Sequence, residues 1–219
     1  MTNLLLICEF IACITGFVYL RKLKGTFWIA FPIYLLCIVI SEQIGNYLGR
    51  LHKYNENVAF FNLIEIPMEF LFFFWLFHKT SKSFSFNKLP IICAVIYITS
   101  WLTENILNWN TPSFLAGNSY TVGNLLLLIL ILRYFILLVT SDEILNFRTN
   151  RMFWVCSGLL LYYLGSAPFY GLRSILIKSF PALMEPFYTL VLVLNCIMYL
   201  MFAISFIWGK NTISFKSSS

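Results

Sequence analysis

The sequence predicts an all-α membrane protein, a bundle of about seven transmembrane helices with its N-terminus outside and its C-terminus cytoplasmic. Three observations predict it. The composition is too apolar for water, with 60% of the 219 residues hydrophobic and 11% charged, against about 45–50% apolar and 25% charged in a soluble domain. Apolar runs of spanning length recur along the chain, and the Lys and Arg residues gather in the short segments between them. The 23 Phe and 12 Tyr exceed what a compact core uses, and suit a lipid-facing surface with interfacial belts.

A spanning helix needs about 20 mainly apolar residues, because about 30 Å of hydrocarbon is crossed at about 1.5 Å per residue. Seven runs qualify: Leu4–Leu20, Phe27–Tyr47, Val58–Phe77, Leu89–Ile106, Tyr120–Thr140, Met152–Tyr170 and Leu183–Trp208. The fourth is the weakest, ending in Trp101-Leu102-Thr103-Glu104, and without it the count falls to six. No positively charged segment precedes the first run, so it is expected to remain as a helix and not to be cleaved as a signal. Pro32, Pro67, Pro168 and Pro186 are kink candidates, although Pro186 also suits the first turn of its helix.

The connecting segments, such as Thr80-Ser81-Lys82-Ser83 and Asn108-Trp109-Asn110-Thr111-Pro112-Ser113, have loop composition and are too short for a further domain. One bundle over 1–208 and a short disordered tail over 209–219 are expected. With Met1 outside, one side of the membrane holds Arg21, Lys22, Lys24, Lys79, Lys82, Lys88, Arg148, Arg151, Lys210 and Lys216, and the other Arg50, Lys53, Arg173 and Lys178. Ten positive charges against four place the first set in the cytoplasm. Gly171–Ala182 (GLRSILIKSFPA) reads either as an interfacial helix or as a plain connecting loop. Trp28, Trp75, Trp101, Trp109, Trp154 and Trp208 fall near span ends, where indoles anchor helices at the interface. Phe27-Trp28 is echoed by Phe153-Trp154, and Glu65-Ile66-Pro67 by Glu185-Pro186, a pattern that a three-plus-one-plus-three repeat would produce.

Polar groups at bilayer depth cost several kcal/mol unless paired or wetted, so each is a functional candidate. Asn62, Glu65 and Glu69 lie on the third run, the two carboxylates at i and i+4 on one helix face. Glu42, with Gln43 and Asn46, lies at the outer end of the second; Asn124, Tyr162, Tyr163 and Glu185, with Ser166 and Tyr188, lie in the outer halves of the last three, and Asn195 lies deeper. On a bundle, Glu42, Asn62, Glu65, Glu69, Asn124, Tyr162, Tyr163, Glu185 and Asn195 would line an outward-open acidic cavity. Such walls favour a cation, an amine or a shared proton. The competing reading is interhelical hydrogen bonding that holds the bundle together, with Glu42 and Glu185 at the headgroups. Glu9 sits early in the first run, and Arg133 is expected to snorkel from the fifth toward the inner headgroups.

Enzymatic readings find little support. The two His lie in or beside loops on opposite sides, the one Asp is Asp142 in a loop, and no Lys lies within a run, so no metalloenzyme, two-Asp protease or serine triad can be assembled at depth. The six Cys all lie inside apolar runs without a CxxC pair and read as small buried hydrophobes. No cofactor or metal is expected, and the basic residues form no face for nucleic acid. The abundance of Phe, Ile, Asn and Lys points to an AT-rich, bacterial coding genome and hence to the cytoplasmic (inner) membrane. The expected function is non-enzymatic: a sensing or accessory module that acts on a separately encoded partner through its cytoplasmic loops, with self-association left open. The alternative is a small secondary transporter or channel for a cation, an amine or a proton-coupled substrate.

Overall fold

A computed structural model describes residues 2–80, 88–107 and 117–210, with the side chains of 2, 3, 142, 143, 168–178 and 181 left aside. The expected loops over 81–83 and 108–113, Lys82, Trp109, Lys216 and the tail from 211 lie outside the described residues, as do the side chains of Asp142, Pro168, Arg173 and Lys178. Within them the chain is helical apart from turns and one isolated bridge between Asn150 and Lys210. The long helices are α1 (Thr2–Val18), α2 (Ala30–Arg50, led in by a 3-10 turn at Phe27–Ile29), α3 (Tyr54–Thr80), α4 (Leu89–Leu107), α5 (Asn118–Val139), α6 (Arg151–Ser179) and α7 (Met184–Trp208). Among the described residues five segments, Phe27–Arg50 and helices α3, α4, α5 and α7, are long and apolar enough to cross a membrane, and Leu4–Val18 is a shorter apolar helix.

What these helices show to their surroundings identifies the solvent. On α5, Leu125, Leu132 and Val139 are 57%, 52% and 65% exposed, and Ile129 and Ile136 complete the same stripe at helical spacing. On α4, Ile91, Ile92, Val95, Ile96, Leu102 and Ile106 are likewise exposed. A continuous apolar surface of this kind is costly in water and costs nothing against acyl chains. The chain thus has the character of an integral membrane protein.

The helices differ from expectation in two places, each with a local cause. Gly171–Ala182 is neither loop nor separate interfacial helix over most of its length, because α6 continues without a break to Ser179, 29 residues in all. A 3-10 turn at Pro181–Leu183 then leads into α7, where Pro186 falls in the first turn and forfeits no hydrogen bond. The fourth run forms a regular helix of 19 residues. The third is interrupted by a π turn at Phe61–Glu65, immediately before Pro67. Pro67 has no N–H and crowds the preceding carbonyls, which explains why the ladder slips to i→i+5 there in place of a simple kink.

Two compact units emerge. One comprises 1–35 and 131–219 and is built on α1, α6 and α7; the other comprises 36–130 and is built on most of α2, on α3, on α4 and on the first part of α5. In the first, α7 packs along α6 and along α1. Phe31 sits between Phe202 and Phe206, with ring centroids 5.1 and 5.3 Å away. Small residues permit these approaches: a Cβ on Gly158 would stand 3.0 Å from Met201 Cβ and 3.1 Å from the Met198 carbonyl, and one on Gly16 would stand 3.1 Å from Phe206 and Pro32. In the second unit, α3 packs on α4 through Phe70, whose ring lies 4.9 Å from Tyr97 and 5.5 Å from Tyr120. A Cβ on Gly123 would meet that ring at 2.9 Å.

Candidate functional site

The nine residues expected to line a cavity divide between the units. Glu42, Asn62, Glu65, Glu69 and Asn124 belong to the unit over 36–130; Tyr162, Tyr163, Glu185 and Asn195 belong to the other.

In the unit over 36–130, polar groups concentrate along one stripe of α4. Pro90, Cys93 and Tyr97 are buried, and Trp101 and Glu104 continue the stripe at i+4 and i+7 from Tyr97. Each makes a different demand. The Tyr97 hydroxyl is buried without a hydrogen-bond partner among the described residues, and the carboxylates of Glu69 and Glu104 lie within electrostatic reach of it. The Trp101 indole Nε1–H donates to the backbone carbonyl of Asn62 at 3.0 Å. That acceptor has a specific origin. The π turn pairs the Ile66 N–H with the Phe61 carbonyl, so the next donor in register for Asn62 would be residue 67, a proline with no N–H. Trp101 satisfies the carbonyl that Pro67 leaves open, and thereby ties α4 to the irregular turn that carries Asn62 and Glu65.

Glu104 closes the stripe. Its two carboxylate oxygens accept the backbone N–H groups of Asn118 and Ser119, each at 2.8 Å, so the anion sits on the positive end of α5 and satisfies two of its unpaired donors. Gly117 makes this approach feasible, since a Cβ there would collide with the Glu104 carboxylate. On the adjoining face a cleft of about 450 Å³ runs between α4 and α5, lined by Thr99, Ser100, Thr103, Glu104, Asn118 and Val122 among others. None of the nine expected residues lines it.

Comparison of the chain with protein-family models, curated proteins and solved structures finds no match.

Asn124 is 4% exposed, and its Oδ1 is buried with no hydrogen-bond partner among the described residues. Glu42, Asn62, Glu65 and Glu69 are half-buried, with a buried oxygen on Glu65. No Lys or Arg of this unit is buried among the described residues. Two buried oxygens of this unit, the Tyr97 hydroxyl and Asn124 Oδ1, thus have no hydrogen-bond partner among the described residues, and each can accept from a donor-bearing group.

In the other unit, Tyr162 and Tyr163 are buried, their rings 5.0 Å apart and edge to face. Asn195 is half-buried with its Oδ1 enclosed, and Ser166 is fully buried; neither atom has a hydrogen-bond partner among the described residues. Glu185 is exposed in the first turn of α7, where its charge complements the helix dipole.

The same unit contains a polar centre that sequence reasoning missed. Arg151, read from sequence as a loop charge, is only 2% exposed. Its Nε donates to the Ser205 carbonyl at 3.2 Å and its Nη2 to the Gly209 carbonyl at 2.8 Å, and its guanidinium stands 5.2 Å over the Trp28 ring. One cation closes the carbonyl end of α7, the favourable position for positive charge. Asn150 holds Arg151 in place by capping α6, its Oδ1 accepting the Met152 and Phe153 amides at 3.0 and 3.4 Å. Gly209 and Lys210, expected at the start of a free tail, are fixed here, Lys210 donating its N–H to the Thr149 carbonyl at 2.7 Å.

Proposed function

We propose that the chain is a seven-helix, non-enzymatic protein of the cytoplasmic membrane, its N-terminus outside and its C-terminus in the cytoplasm. On this reading it senses a small cation or amine and passes the signal to a separately encoded partner through its basic cytoplasmic segments. The observation that carries the reading is a pair of buried oxygens in the unit over 36–130: the Tyr97 hydroxyl and Asn124 Oδ1 have no hydrogen-bond partner among the described residues, Tyr97 lies within electrostatic reach of Glu69, and none of the unit's described Lys or Arg residues is buried. An ammonium group brings three donors and a positive charge, which is what such a site lacks. Helices α1 and α6 supply the two spans beyond the five, and the asymmetry of Lys and Arg supplies the orientation.

A second reading, transport of the same ligand class, is favoured by one feature. Helix α3 is broken by a π turn at the level of its acidic residues, and many secondary transporters bind substrate at helix interruptions. Purified protein in liposomes separates the two. Under the sensing reading, alkylammonium ions raise the unfolding temperature of the parent, Glu69→Gln reduces that shift at least about tenfold in apparent affinity, and no flux is measured. Flux abolished by Glu69→Gln selects transport. A parent protein indifferent to every mono- and divalent cation and amine tried would sink both.

A further inference from the structure

The cleft of about 450 Å³ between α4 and α5 takes no part in the site built on Tyr97 and Asn124, and its two ends differ. Ile96 lies at one end, and Thr103, Glu104, Leu107 and Asn118 at the other. From Ile96 to Leu107 the α4 wall advances 11 residues, 107 minus 96. At about 1.5 Å per residue that is about 16 Å, the depth of one leaflet of a hydrocarbon core about 30 Å thick. Beyond Ile96 both walls continue as exposed apolar side chains at helical spacing, Ile92 on α4 and Leu125 and Ile129 on α5. The polar end falls in the last turn of α4 and the first of α5, where spanning helices meet the headgroups. Acceptors dominate there. Thr99 and Thr103 donate their hydroxyls to the carbonyls of Ile96 and Thr99, each at 2.8 Å, which leaves their oxygens only lone pairs to present. Glu104 accepts the Asn118 and Ser119 amides and keeps further lone pairs and its negative charge. No Lys or Arg pairs with it among the described residues, and 108–117, which join the two helices, contain neither.

We propose that this cleft binds one phospholipid whose headgroup carries a primary amine, a phosphatidylethanolamine, with its ammonium on Glu104 and the threonine oxygens and an acyl chain along Ile96, Ile92 and Leu125. A carboxylate at the edge of hydrocarbon calls for a cation, and the chain places none beside it, so the cation comes from the surroundings. A lipid supplies it together with the apolar tail that the rest of the cleft requires. The headgroup class follows from hydrogen bonding. An ethanolamine ammonium has three donors for the acceptors of Glu104, Thr103 and Thr99; a choline carries the same positive charge with no N–H to give. Phosphatidylglycerol has no cation at all and would set its phosphate charge against Glu104. The cleft's own side-chain donors, Ser100 and Asn118, suit the phosphate of the bound headgroup.

The test titrates the full chain, delipidated in detergent, with dioleoyl phosphatidylethanolamine, its N-methyl and N,N-dimethyl derivatives and phosphatidylcholine, and counts retained lipid by native mass spectrometry. The series keeps the positive charge while its N–H donors fall from three to none. Affinity is expected to drop along it by at least about tenfold, the equivalent of one charge-assisted hydrogen bond. One affinity for the whole series, or a preference for phosphatidylglycerol, overturns the proposal. Glu104→Gln removes the charge, and Thr99→Val with Thr103→Val removes the hydroxyl oxygens without touching the α5 cap; each should flatten the series toward the phosphatidylcholine value. Ile96→Trp, at an exposed position, fills the cleft and should abolish retention, and undiminished ethanolamine-lipid binding there overturns the site. Glu69→Gln separates this lipid from the ligand of the Tyr97–Asn124 site. Its retention of phosphatidylethanolamine should equal the parent's; loss there, with Glu104→Gln unaffected, would move the lipid to Glu69 and overturn the proposal.

Discussion

Replacing Arg151 by Lys keeps the charge and most of the apolar stem while removing the planar fork, so the cost of burying a cation largely cancels between parent and variant. What remains can be worked from the geometry. The guanidinium serves the Ser205 and Gly209 carbonyls through separate nitrogens at 3.2 and 2.8 Å and lies over Trp28 at 5.2 Å. A lysine ammonium is a single point on a flexible stem and cannot occupy both nitrogen positions. The Ser205 carbonyl still has the Gly209 amide at 3.0 Å, whereas the Gly209 carbonyl loses its guanidinium donor if the ammonium turns to Ser205. Losing one charge-assisted hydrogen bond costs about 1.5–3 kcal/mol, and losing the stacked cation costs about 1 kcal/mol, so Arg151→Lys should destabilise by about 3 kcal/mol. For a chain of this length that corresponds to a fall of about 6–12 °C in the unfolding midpoint. Reaction of the fully buried Cys156, five residues along α6, with a thiol-reactive fluorophore during heating in detergent reads the transition. An Arg151→Lys midpoint within about 1 °C of the parent would refute the reasoning that the fork, and not merely a positive charge, closes α7.

Two further variants probe the stripe on α4. Trp101→Phe retains the ring but removes the donor to Asn62, leaving that carbonyl unpaired beside Pro67, and should cost about 1–3 kcal/mol; restoring a backbone donor with Pro67→Ala in the same chain should recover part of the loss, and strict additivity of the two changes would contradict the shared acceptor. Gly117→Ala places a methyl group against the Glu104 carboxylate and should destabilise by about 1–2 kcal/mol through loss of the α5 cap, with Glu104→Gln adding little on top. Midpoints for the two single changes and the double change would settle it, full additivity being the contrary result.

The apolar runs were legible in the sequence because bilayer thickness fixes a length and a composition that few other constraints imitate, and among the described residues five of the seven expected runs fall in helices long and apolar enough to cross a membrane. Segment ends were less so. Gly171–Ala182 carries Arg173 and Lys178 among its apolar residues and reads as a boundary, yet backbone pairing carries α6 through to Ser179, since a charged side chain does not interrupt helical hydrogen bonding. Of the candidate site, Glu69, Glu65 and Asn124 were legible as polar residues at depth. Tyr97 was not, because a tyrosine in an aromatic-rich run looks like packing until its hydroxyl is found enclosed. Trp101 looked like an interface anchor for the same reason, and only the facing carbonyl of Asn62 shows what its N–H is for.

Arg151 and Pro67 expose a common reason for these misses. In both cases the sequence announces an imbalance at one position, a cation with five donors or a residue that withholds one, and says nothing about where the compensating group lies. For Pro67 the complement is 34 residues on, at Trp101; for Arg151 it is 54 and 58 residues on, at the end of α7. Hydrogen bonding must balance in a membrane protein more strictly than in a soluble one, because lipid supplies neither donors nor acceptors. Each imbalance visible in the sequence therefore implies a tertiary contact even when its partner cannot be named. Where that balance is still open among the described residues, as at the Tyr97 hydroxyl and Asn124 Oδ1, those are the positions at which the proposed ligand would complete it.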